Sequence, residues 1–337
     1  MTIPEDEWRR AVAVLTTAKQ VALTCHVDPD GDALGSMLAL ERVLRLRGIS
    51  TCAAWGDDTP LPRRYAFLPG VERLASLDDF PTEPDVLVVF DCASVERIGK
   101  LRSSAEAAGC VIVLDHHANG VPFGDIRLVD GQAAATAVLV ERLIRCMGAS
   151  LDHAVATCLY VGLVTDTGRF GYASTTPEVM ELGARLIAHG IDHAAINQRI
   201  WESVSFGYVK MLGRAMERAR LVPDVGLVWT VVRQRDLCEL GITMEEAEGL
   251  VAVLRGIESC ACTCVCKEQS RGDADTGASL WKVSLRSRTS VDVGRIAAEL
   301  GGGGHAAAAG FTTTGALDDI VAAVVERLPT HPALLLG

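Results

Sequence analysis

Basic charge is in short supply in this chain. Lysine and arginine number 32 against 43 aspartates and glutamates, a net charge of −11. That deficit excludes a protein that tracks long or duplex nucleic acid, which needs a broad basic surface. It leaves room for a small phosphorylated substrate, because metal ions and a few arginines can hold one locally. Long apolar runs are missing as well. Each is interrupted by charge or glycine, so no transmembrane helix and no membrane partner are expected. The first ten residues are acidic and polar, without the basic and apolar regions of a signal peptide. The expectation is a cytoplasmic protein. Among 11 cysteines no two are spaced C-x2-C. Without a secretory signal they read as thiols rather than disulfides. No short-period repeat is present.

What the chain has in quantity is core material. Apolar residues make up 49% and the mean hydropathy is +0.25, which argues against disorder. At 337 residues the chain exceeds one typical core, so two domains are expected. In the first half, apolar runs at 20–25, 50–55, 85–90 and 110–114 alternate with helical spacing at 5–19, 32–46, 132–147, from about 151, and 177–189. Near-continuous apolar runs are those of parallel strands covered on both faces. The alternation predicts an α/β fold with a doubly wound, mainly parallel sheet. Residues 196–221 read as one linker helix. Beyond Pro223 the pattern changes. Strands at 226–232, 260–267 and 281–286, and helices at 245–254, 293–300 and 317–328, predict a smaller α/β domain with a mixed sheet. A polar hairpin loop is expected at 269–277. The domains expected are therefore 1–195, a linker at 196–221, and 222–337.

Four clusters carry the chemistry. His26-Val27-Asp28-Pro29-Asp30-Gly31-Asp32, then Asp91, then Asp115-His116-His117 each follow a strand-like run; Asp166 lies in Gly162-Leu163-Val164-Thr165-Asp166-Thr167-Gly168. Strand ends are where an open α/β sheet builds its site. Carboxylates mixed with imidazole suit a divalent metal. Gly31 lets Asp30 and Asp32 face two adjacent metal sites. Two metals about 3.5–4 Å apart clamp a phosphoryl group, and a bridging carboxylate is their usual companion. Taken singly, an aspartate after a strand is a turn or cap residue, and a His-His pair is a surface or core feature. Four such clusters in one order are not explained that way.

That order resembles the DHH phosphoesterase superfamily. Gly301-Gly302-Gly303-Gly304-His305-Ala306-Ala307-Ala308-Ala309-Gly310 is similar to its C-terminal signature, and Val283-Ser284-Leu285-Arg286-Ser287 precedes it as in the family. The resemblance covers nearly the whole chain and is nearest to the oligoribonuclease and 3′,5′-bisphosphoadenosine phosphatase subfamily. It implies two Mn²⁺, with Mg²⁺ or Co²⁺ as alternatives. His26 and Asp30 would hold one ion, and Asp32, His116 and Asp166 the other. Asp91 would bridge both and His117 would face the scissile phosphate. Asp115 would orient the two histidines. Arg286, Gly302, Gly303, Gly304 and His305 would grip the nucleotide, the arginine through a bidentate contact to phosphate. A water activated by the metals would attack the phosphate. The implied substrates are very short oligoribonucleotides and linear or cyclic dinucleotides, cleaved to 5′-mononucleotides, and the 3′-phosphate of 3′,5′-bisphosphoadenosine. A homodimer is implied too. The alternatives are an inorganic pyrophosphatase of the family II type and a nucleotide sensor without catalysis.

Cys260, Cys262, Cys264 and Cys266 alternate along one predicted strand, which would point them to one face. A straight row cannot wrap a tetrahedral ion, so they read as small buried hydrophobes.

Overall fold

The computed structural model describes residues 3–117, 120–269 and 279–330. The chain divides into two compact units, 1–203 and 204–337.

In the first unit, short apolar runs form five strands: β1 (Gln20–Cys25), β2 (Ser50–Ala53), β3 (Val86–Phe90), β4 (Val111–Asp115) and β5 (Ile126–Val129). All pair in parallel, in the order β2-β1-β3-β4-β5. The sheet is covered on both faces, as its unbroken apolar strands require. Val21, Leu23, Val88, Phe90, Ile112 and Leu114 point into the larger core; Ala22, Leu87, Val89 and Val113 point into a smaller one. The larger core is closed by α1 (Glu5–Thr17), α2 (Gly31–Leu46), α4 (Thr136–Cys146), α5 (His153–Asp166), α6 (Pro177–Ile187) and α7 (His193–Trp201). The opposite face carries α3 (Arg102–Ala107) and the turn before it. Strand order reverses between β1 and β3, and the crevice at that reversal is where open α/β sheets bind ligands.

Helices α2 and α5 pack closely enough to need glycine. A Cβ on Gly35 would lie 2.3 Å from the Cys158 carbonyl oxygen, and one on Gly31 would lie 2.6 Å from the Thr165 side chain. These contacts run in opposite directions along the two helices. The start of α2, with Asp30 and Asp32, therefore sits beside the end of α5, with Asp166.

The second unit contains α8 (Phe206–Arg218), β6 (Arg220–Val222), β7 (Leu227–Val232), α9 (Gln234–Leu240), α10 (Leu250–Arg255), β8 (Cys262–Glu268), β9 (Leu280–Ser287), α11 (Val293–Glu299), β10 (Gly303–His305), β11 (Ala308–Thr314) and α12 (Leu317–Val325). Its sheet runs β10-β11-β9-β8-β7-β6 and is mixed: β7 and β8 are parallel and the other pairs antiparallel. Both units thus have the expected α/β class.

Several local expectations are corrected. The single helix at 196–221 is two. Helix α7 stops at Trp201, and Ser205 caps a new helix by accepting from Tyr208 N at 3.0 Å. The helix expected from 132 begins at Thr136. Strands β5, β6, β10 and β11 and helices α3 and α9 lie outside the expected elements; β5, β6 and β10, of four, three and three residues, are too short to show a period. Beyond Gln269, the expected loop at 269–277 lies outside the described residues. Cys262, Cys264 and Cys266 do line one core with Trp281, Val283 and Leu285, whereas Cys260 precedes the strand and packs in the core on the other face. No described helix is long and apolar enough to cross a membrane.

Candidate metal centre

Each cluster is delivered by the element that ends at it. Asp30 is the N-cap of α2, its Oδ1 accepting from the amides of Asp32 and Ala33 at 3.0 Å each. Its Oδ2 lies 3.8 Å from His26 Nε2. Asp91 follows β3 with a left-handed backbone (φ 55°), an uncommon conformation that aspartate tolerates better than most residues. Its amide continues the ladder by donating to the Leu114 carbonyl at 2.9 Å.

Asp91 is the hub. Its Oδ2 is 3.4 Å from His26 Nε2, while its Oδ1 is 3.4 Å from His116 Nε2 and 3.6 Å from His117 Nδ1. Thr136 Oγ1 donates to the same Oδ1 at 3.0 Å. On the far side His116 Nε2 is 3.0 Å from Asp166 Oδ2. Among the described residues three groups have ligand atoms all within 4.8 Å of one another: His26–Asp30–Asp91, Asp91–His116–His117, and Asp32–His116–Asp166. Two compact lobes thus share a boundary at Asp91 and His116.

The histidines are fixed by their outer nitrogens. His26 Nδ1 meets the Val27 carbonyl at 2.8 Å, and His116 Nδ1 meets the Ala133 carbonyl at 3.2 Å. A carbonyl can only accept, so both rings carry a proton on Nδ1 and turn Nε2 to the carboxylates, where it donates while the ring is charged and would be free to hold a metal once deprotonated. His117 Nδ1 sits 2.7 Å from Asp115 Oδ1, which also accepts the His117 amide at 3.2 Å. Asp115 therefore orients His117. His116, expected to share that carboxylate, is held by Ala133 instead. Asp32 has a second task. Its carboxylate accepts the Thr136 amide at 2.5 Å and the Ala137 amide at 2.9 Å, capping α4, whose own N-cap residue Ala135 supplies no side-chain bond. An ionised carboxylate has about four acceptor positions, so capping does not exhaust it. Thr136 and Ala133 were missed by sequence reasoning. A threonine ahead of an apolar run is a helix-start signal for the first, and nothing marks the second.

The electrostatics are those of crowded anions. Burial pushes Asp166 up to about 6, against the hydrogen bond from His116, and the charges of Asp30 and Asp91 push the same way. Burial and the charges of Asp166 and Asp91 raise Asp32 well above the carboxylate range. Burial works against charge on His116, yet its bond to Asp166 and the charges of Asp32 and Asp91 lift it to about 10. Burial opposes ionisation of Asp91 too, but the hydrogen bond from His26 and the nearby imidazoles hold it down at about 2. Buried carboxylates that repel one another call for positive charge, and hard oxygens with imidazole nitrogens suit a divalent cation. The donor set fits a metal.

In the second unit the glycine run is built into a helix end and a strand. Gly301 (φ 82°) ends α11, and the Gly302 amide donates back to Ala297 O at 2.8 Å, a Schellman-type cap. Gly303 and Gly304 enter β10, paired with Gly310 and Ala309. Ala308 of β11 pairs with both His305 and Arg286, placing those two in one cross-strand row. The His305 side chain lies outside the described residues. Arg286 is half-buried on β9, its Nη1 donating to the Leu285 carbonyl at 2.9 Å.

Comparison with known proteins agrees with this architecture. The model of the DHH family N-terminal domain matches residues 20–163, and that of the DHHA1 domain matches residues 226–329. The bifunctional oligoribonuclease and PAP phosphatase NrnA of Thermus thermophilus is 33% identical over 298 residues, covering 88% of this chain and 85% of that protein. The chain belongs to the DHH family. It is a phosphoesterase, and the family is metal dependent. The NrnA of Bacillus subtilis is 28% identical over 248 residues, 70% of this chain and 74% of that one. Among solved structures, an exopolyphosphatase-related protein from Bacteroides fragilis superposes with a TM-score of 0.88 at 25% identity, covering 96% of each chain. The exonuclease RecJ bound to manganese shares the fold, with a TM-score of 0.54 at 16% identity over 99% of this chain and 98% of that one.

Proposed function

We propose that this DHH phosphoesterase hydrolyses very short oligoribonucleotides and dinucleotides to 5′-mononucleotides, and removes the 3′-phosphate of 3′,5′-bisphosphoadenosine. The observation that carries the reading is Asp91, one carboxylate whose two oxygens serve two lobes of ligands. His26 and Asp30 would hold one Mn²⁺, Asp32, His116 and Asp166 the other, and Asp91 both. Such a pair of ions supplies an activated water and neutralises charge on the phosphate. The protein's own part is to hold the imidazoles in one tautomer through Val27 and Ala133, and to aim His117 through Asp115. His117 would meet the reacting phosphate.

The nucleotide grip is assigned to Arg286, Gly302, Gly303, Gly304 and His305. Gly303 supports this. A Cβ there would touch nothing within 4 Å, so the fold does not need glycine at this exposed position. Close approach of a ligand does. The names of the two NrnA relatives point to the same substrates.

The test is a Mn²⁺ assay of the purified protein with pApA, cyclic di-AMP, 3′,5′-bisphosphoadenosine and pyrophosphate. Release of 5′-AMP from pApA, abolished in Asp91→Ala while the circular dichroism spectrum is kept, is the expected result. Turnover of pyrophosphate alone would overturn the reading, as would full activity in Asp91→Ala.

A further inference from the structure

Exposed arginines stacked on buried or half-buried aromatic rings run in a row along the first unit beside the metal centre. Arg169 Cζ lies 5.4 Å from the Trp201 ring centroid. Two residues before Trp201 on α7, Arg199 Cζ lies 5.2 Å from the Phe67 ring. Two residues before Phe67 is Tyr65, with Arg64 Cζ 5.0 Å from its ring. The turn carrying Arg64 and Tyr65 packs against α7, so the three stacks are consecutive.

Both ends of the row are tied to metal-site residues. Arg169 is three residues past Asp166. It is set there by consecutive left-handed residues, Gly168 (φ 55°), Arg169 (φ 61°) and Phe170 (φ 61°). Non-glycine residues in that region are strained, and such strain concentrates at functional sites. At the other end Tyr65 is buried, its hydroxyl near the Gly31 amide and in the field of Asp30 and Asp166.

Beyond these ring contacts the guanidinium groups have no acid to hold them. Arg64, Arg169 and Arg199 are exposed, and among the described residues none forms an ion pair with a carboxylate. In a chain of net charge −11, three exposed arginines without an acidic partner line up in one row whose ends are tied to an anionic site. A guanidinium lying on an aromatic face keeps its N–H edges for phosphate and offers its plane to a base. Arginine interleaved with aromatics is the chemistry that holds single-stranded nucleic acid without reading its sequence.

We propose that the stacks Arg169–Trp201, Arg199–Phe67 and Arg64–Tyr65 form a ladder that holds the nucleotides of a single-stranded oligoribonucleotide lying beyond the reacting phosphate. The proposal rests on the function assigned above and extends it. Substrates longer than a dinucleotide gain contacts at each stack. Three stacks serve a few nucleotides, which agrees with the net charge of −11.

The experiment compares the wild type with an Arg64→Gln/Arg169→Gln/Arg199→Gln variant, its fold checked by circular dichroism, on 5′-phosphorylated oligoadenylates of two to five residues. The KM for the pentamer should rise about tenfold, with a loss that shrinks as the chain shortens. In parallel, binding of fluorescent pentaadenylate is followed by anisotropy in EDTA across a salt series. The salt slope of log K should fall by about 2 in the variant, the share of three phosphate contacts on a single strand. A KM shift that is equal at every length, or an unchanged salt slope, would overturn the ladder. If the wild type cleaves none of these oligomers, the assigned function falls, while the anisotropy series still decides the ladder. Should the triple variant misfold, Arg199→Gln alone gives the same pair of readouts, with a slope change of about 0.7.

Discussion

Asp115 and Asp91 are both aspartates at the ends of adjacent strands, yet their environments divide the work between them. Asp91 turns both oxygens inward to three imidazoles, whereas Asp115 spends Oδ1 on the ring and amide of His117. Removing the charge of Asp115 should therefore misplace one histidine without dismantling the centre. Asp115→Asn is expected to lose activity about 10–100-fold, the usual cost of losing a carboxylate that orients a site imidazole. It should still bind Mn²⁺ in isothermal titration. Loss of metal binding would mean that Asp115 is itself a ligand. The division was only half legible in the sequence. The ligand types were readable because each sits within two residues of a strand or helix end, where local order carries position. The partners that fix them were not. Ala133 holds His116 through a backbone carbonyl, which no residue type advertises, and Asp32 caps a helix 104 residues away.

At the scale of elements, the glycine run shows how one motif mixes two requirements. A Cβ on Gly302 would lie 2.2 Å from the Gly310 carbonyl and 2.5 Å from Phe311 Cβ; one on Gly304 would lie 2.5 Å from Ala309 Cα. Those two glycines let β10 lie against β11. Gly303 between them has open space. Gly302→Ala should destabilise the protein by about 1–3 kcal/mol through overpacking, read as a lower Tm. Gly303→Ala should change stability by no more than about 0.5 kcal/mol, as exposed substitutions usually do. It should raise the KM for pApA. Equal Tm losses in the two variants would return Gly303 to a packing role. The sequence could not separate these positions, since four identical residues differ only in what the fold brings near them. The α7–α8 break was hidden for a related reason. Apolar residues continue on both sides of it, and a serine cap is a weak signal inside a long amphipathic stretch.

On the scale of the whole molecule, the two units answer to different forces. The second is held by two apolar cores on either face of its sheet, with no crowd of buried carboxylates among its described residues. The first has its largest core directly beneath Asp32, Asp91 and Asp166, whose mutual repulsion opposes the packing of β1, β3, α2 and α5 at their ends. A divalent cation bound there would stabilise the native state by mass action, about 2.7 kcal/mol at a free concentration 100 times the dissociation constant. That gain should be local to the ligands. In hydrogen exchange with Mn²⁺ against EDTA, protection is expected to rise around His26 to Ala33, Asp91, His116, Ala133 to Ala137 and the end of α5. The strands β7, β8 and β9 should exchange alike in both conditions. Protection that rose equally in both units would show that the metal acts on the chain as one cooperative body. Protection that rose in neither would remove the cation from this centre altogether, and the crowding of its carboxylates would then need another counter-charge.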